Sequence, residues 1–133
     1  MEPGRIFHGS IDFGPPSGVM NKFQLVVECK QVFYRVFIIS SEATEWQKKY
    51  RADHIVTLDK LSHQFLHHDS VIDCSQLHPV KVQAADQHIR EKPADLKCKI
   101  SVAVRDEIVQ KVGASKLFPA EDKDSIAKSL ARI

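Results

Sequence analysis

An α+β domain is predicted, built as a small curled antiparallel sheet followed by helices. Three observations predict it. Strand-like alternation dominates as far as Val80, and clear helical spacing marks the end of the chain, from Ser101 to Ile133. At 133 residues, 43% of them hydrophobic and 27% charged, the chain suits one domain with a real core. We therefore read a single domain, with a β-rich core over 1–80 and a mainly helical part over 81–133.

The first strand is RIFHGSID, Arg5 to Asp12, where Ile6, His8 and Ser10 alternate with Phe7, Gly9 and Ile11. FGPPSG follows, and its glycines and prolines enforce a loop. KFQLVVECK and QVFYRVFIIS are two stronger strands joined by a tight hairpin at CKQ. The second is so rich in β-branched and aromatic residues that it is expected at the sheet centre, buried on both faces. SSEATEWQKKYRAD, Ser40 to Asp53, has acids early, bases late and a serine for the N-cap, the order a short helix prefers. HIVTL (54–58) is the next strand. DKLSHQFLHHDS is a polar connector with room for a helical turn, and the strand after it centres on Val71–Cys74.

Beyond Pro79 the pattern is irregular, and Pro93 closes any helix begun near Ala84. SVAVRDEIVQKVGASK is helical: Ser101 can cap it, Val104, Ile108 and Val112 share a face, and Gly113 can end it. FPAEDKDSIAKSLARI is a further helix, with Pro119 in its first turn and Ile126, Leu130 and Ile133 as its apolar stripe. The helices are expected at one end of the sheet.

No apolar run approaches the roughly 20 residues of a membrane span. The N-terminus lacks a basic-then-apolar leader pattern, so a cytoplasmic protein is expected. A net charge of +2 neither favours nor forbids nucleic acid. Cys29, Cys74 and Cys98 are widely spaced and read as buried free thiols.

Four segments, in order, resemble the MazF/PemK-like toxin family. They are RIFHGSID, YRVFIISSEA with its arginine ahead of an apolar run, DSVIDCSQL with its closing glutamine, and LKCKISVAVRDEIVQKVGASKLF. The resemblance covers about two-thirds of the chain. It implies an SH3-like barrel with helical additions, usually a homodimer. It also implies an endoribonuclease that cuts single-stranded RNA without metal or cofactor, restrained by an antitoxin protein. Two departures fall where the family binds and cuts RNA. Phe23–Lys30 forms an extra strand where the family has a loop, and Asp73, Ser75 and His78 stand where arginine is usual. The alternative is a related binding module that has lost catalysis and grips a protein or nucleic-acid partner.

Metal-free RNA cleavage needs a charge stabiliser for the phosphorane and groups that move protons. Arg35 matches the family's catalytic arginine. Its fork suits phosphate, although an arginine in so apolar a strand can equally be a salt-bridged structural residue. Asp73 is one acid that could hold it. Thr57 matches the polar residue that supports the phosphate, or is simply a good strand former. His78 is the first candidate proton shuttle and His54 the second. Along the strand, His78 and Gln76 share one face, while Asp73 and Ser75 share the other. Gln76 and Ser41 are further RNA contacts implied by the resemblance. Trp46, Lys48 and Lys49 interleave aromatic and basic groups that can stack bases and hold phosphates, or the aromatics can dock the helix on the barrel. His63 and His67 have the spacing of a zinc pair, with Asp69 or His54 as a third ligand, but the bland reading is a histidine-rich polar loop.

Overall fold

A computed structural model describes all of residues 1–133. Six strands form one antiparallel sheet: β1 (Arg5–Asp12), β2 (Val19–Cys29), β3 (Phe33–Ser40), β4 (Ile55–Leu58), β5 (Ser70–Lys81) and β6 (Leu96–Lys99). The sheet order is β4-β5-β3-β2-β1-β6, so β3 and β2 are central and β4 and β6 are edges. The sheet is not closed into a barrel, because no hydrogen-bonded ladder joins β4 to β6. Four helices complete the fold: α1 (Glu45–Tyr50), α2 (Val82–Glu91), α3 (Val102–Ala114) and α4 (Ala120–Leu130).

Alternation divides the sheet's side chains between two cores. Leu25, Val27, Phe37, Ile39, Val56, Leu58 and Ile72 meet Val104, Ile108 and Val112 of α3 and Ile126 and Leu130 of α4. Phe7, Val26, Tyr34, Val36 and Ile38 point the other way, toward Ala85 of α2. As anticipated, β3 is buried on both faces. The helices do not gather at one end. Two cover one face and α2 the other, because both faces of the central strands are apolar and each must be covered.

The expected β1 matches its observed span, and β2, β3 and β4 differ only at their ends. Residues 81–100 depart further. Val82–Glu91 is a regular helix, and Leu96–Lys99 adds an edge strand beside β1. Pro93 does stop α2, and the chain passes through a 3-10 turn into β6. The cap of α1 is Thr44, not a serine. Its hydroxyl accepts from Gln47 N–H while the Gln47 side chain accepts from Thr44 N–H, a capping box. Ser101 caps α3 as expected, but Gly113 lies inside that helix and Ser115 is the C-cap. Only Cys74 of the three thiols is buried, and burial raises its pKa.

β5 runs on through Pro79 with a register slip. Val36 pairs with His78 and Ile38 with Asp73, so Phe37 alone stands opposite Cys74, Ser75, Gln76 and Leu77. The slip overturns simple alternation. Cys74 and Leu77 both face the α3/α4 core. His78 faces the α2 side with Val36 and lies edge-on to Phe13 at 5.4 Å. No helix is long and apolar enough to cross a membrane.

Candidate functional site

Arg35 lies between Tyr34 and Val36, which face α2, so its own side chain emerges toward α4. Its guanidinium is 3.1 Å from Glu28 Oε2 and 3.5 Å from Asp122 Oδ1 of α4. Glu28 is only 2% exposed. A buried carboxylate demands a cation, and Arg35 is one of the two that meet it, with Lys30 at 3.4 Å. The anticipated partner, Asp73, is engaged elsewhere: it accepts from Ser75 and from the Gln47 side chain.

The anticipated constellation does not assemble. Arg35 and His78 emerge from opposite faces of the sheet. Thr57 pairs with Val71 while Arg35 pairs with Pro79, a separation on the order of 20 Å along β5. Gln76 is exposed in the slipped segment, away from Thr57. Burial lowers the pKa of His78, which favours the neutral ring.

Ser41, the α1 residues Trp46, Lys48 and Lys49, and Thr57 belong to segments that meet at the β4–β5 end of the sheet. Ser40 and Thr57 both pair with Val71, and Gln47 Nε2 donates to Asp73 Oδ2 at 2.9 Å, tethering α1 to β5. That tether is polar, and α1 has no buried residue. Its two aromatics therefore do not dock on the sheet. Trp46 and Tyr50 are each 55% exposed, with ring centroids 5.7 Å apart. The Arg51 guanidinium lies 4.8 Å from the Trp46 ring, and Lys49 Nζ lies 5.2 Å from the Tyr50 ring.

Of this region, Tyr50 and Arg51 line a groove of about 660 Å³ between the end of α1 and the C-terminal part of α3; Ser41, Trp46, Lys48, Lys49 and Thr57 lie outside it. Arg51, Lys111 and Lys116 supply positive charge along it, against Asp53 and Glu107. His54 lines the groove, with Nε2 2.6 Å from Ser115 Oγ, and Leu117 N–H donates to the same oxygen. Burial, with nearby Arg51, lowers the pKa of His54 and favours the neutral ring. Ser115 and Lys116 were not anticipated as site residues, since no local motif marks them and only the packing of α3 against Ala52–His54 brings them there.

The histidine loop has a structural explanation. His63 is fully buried, with Nδ1 2.9 Å from Asp59 O and Nε2 accepting from Ser101 N–H at 3.3 Å. Both ring nitrogens are thus occupied, and the zinc pair with His67 is not formed. No group of three or more His, Cys, Asp or Glu residues is placed to hold a metal ion.

No protein-family model matches the chain, and no curated protein matches it.

Proposed function

We propose that the protein is a MazF/PemK-like module that binds single-stranded RNA, on an SH3-like sheet diverged from that family. The observation that carries this reading is the exposed Trp46–Tyr50 pair, flanked by Arg51 and Lys49, with Tyr50 and Arg51 at the edge of a groove of mixed charge. Unpaired bases offer flat faces to such aromatics, and phosphates follow the cations. Ser41, Lys48 and Thr57 lie at the same end of the sheet and extend the surface. The cytoplasmic setting, the homodimer and a restraining protein partner belong to the same proposal.

A second reading keeps RNA cleavage, and His54 favours it. The ring is biased to the neutral form, sits in the groove beside cations, and could take a proton from a 2′-hydroxyl. Under this reading Arg51 or Lys116, not Arg35, would steady the phosphate.

Trp46 is the sole tryptophan, so its fluorescence reports on the site directly. Titration with a single-stranded oligoribonucleotide at low salt should quench it saturably, and Tyr50→Ala should weaken binding about tenfold. Unchanged fluorescence together with no mobility shift would overturn the binding reading. End-labelled RNA incubated with the protein in EDTA separates the two. Fragments that vanish with His54→Ala would establish cleavage, whereas bound but intact RNA leaves a binding module.

A further inference from the structure

A second polar cleft, of about 240 Å³, lies between the β2–β3 turn and α4, lined by Glu28, Lys30, Ser125, Lys128 and Arg132 among others. It is separate from the α1 groove and shares no residue with it. Lys128 is held by Asp124 at 2.9 Å, while Arg132 stands exposed at the rim. Glu28 adds an independent feature. Its Oε2 receives Arg35 and Lys30, but its Oε1 is buried and has no hydrogen-bond partner. Buried acceptors are almost always satisfied, so an orphaned carboxylate oxygen in a residue lining a cleft points to a missing donor.

A simple anion cannot supply that donor. Sulfate and a phosphodiester carry only acceptor oxygens near neutral pH, and an ionised carboxylate repels them. A phosphate that retains one P–OH has both features. Its hydroxyl can donate to a carboxylate, and its anionic oxygens can take charge-assisted bonds from lysine and arginine. We propose that this cleft binds a protonated phosphate, either inorganic phosphate or a phosphate monoester, with Glu28 accepting from the P–OH and Lys30, Lys128 and Arg132 holding the anionic oxygens. Because Oε1 is buried, the Glu28 carboxylate must turn toward the cleft on binding. The carboxylate then serves as a filter, since it rewards the ligand that carries a proton and penalises the isosteric one that does not.

Titration of the full chain in a non-phosphate buffer at pH 7 and constant ionic strength tests this, read by backbone amide NMR. Sodium phosphate should shift amides of Lys30 and of 125–132 saturably, and sodium sulfate should bind at least tenfold more weakly. A nucleoside monophosphate forms a parallel arm, run beside inorganic phosphate at about pH 6, where roughly half of the monoester keeps its P–OH, and tighter binding than inorganic phosphate there would assign the site to a monoester. Arg132→Ala, at the exposed rim, should weaken phosphate about tenfold without unfolding the chain. Glu28→Gln, whose amide can donate, should close the gap between phosphate and sulfate. Should that variant fail to fold, Lys128→Ala replaces it as a second test of location. Equal binding of sulfate and phosphate, no saturable shift, or unchanged affinity in Arg132→Ala would each overturn the proposal.

Discussion

Arg35 and Arg51 invite comparison. Arg35 stands in the most apolar strand of the molecule and is drawn inward to Glu28 and Asp122. Arg51 stands at the end of a helix with no buried residue and lies over an exposed indole. The same guanidinium is thus a counter-ion to a buried acid in one region and, in the other, a half-buried group that stacks on an aromatic ring and donates to the Tyr50 carbonyl. The difference comes from their neighbours. A buried carboxylate binds the nearest cation tightly because leaving it unpaired is costly, whereas an exposed ring holds one only weakly.

The most disruptive way to break this comparison is Arg35→Ala. Removing this cation from buried Glu28 should cost about 3 kcal/mol of stability, measured by urea denaturation. A loss below about 0.5 kcal/mol would mean that Lys30 alone neutralises the carboxylate. Next comes Trp46→Ala, which should weaken RNA binding by about 1–3 kcal/mol. The same change should alter the urea midpoint little, since the ring is exposed and α1 is anchored through Gln47. Arg51→Ala should have a smaller effect, lowering the slope of log affinity against log salt by about 0.7, as expected for one lost phosphate contact to a single strand. An unaltered slope would show that Arg51 only packs on Trp46.

The smallest effect concerns pH. His54 and His78 both have folded-state pKa values lowered by burial. The unfolded chain therefore binds more protons, and stability rises with pH in that range. The stabilisation is fully present above the unfolded value of about 6.5 and declines as pH falls through the lower folded values. His54→Gln should flatten the fall in melting temperature between neutral and mildly acidic pH. A profile as steep as that of the parent chain would place the titration elsewhere.

The regular part of the fold was legible because periodicity reports local burial. β1 and the apolar stripe of α3 follow from which residues alternate or recur. The candidate site was legible in part. The aromatic and basic residues of α1 stood out by composition, but whether they docked or faced water did not. The end of α2 was legible at Pro93, but its full length was not, because its apolar stripe is only Val82, Ala85 and Ile89 among polar residues. β6 is a four-residue strand whose identity depends on β1 lying beside it.

The sequence by itself determined that a central apolar strand would be flanked by amphipathic elements, because covalent spacing fixes which side chains can share a face. Only the tertiary structure decided where the charges went. The slip in β5 turned His78 to the opposite face from Arg35, and α4 brought Asp122 to that arginine. The packing of α3 placed Ser115 against His54. Pairing between charges depends on distances through space, and residues far apart along the chain acquire those distances only when the elements pack.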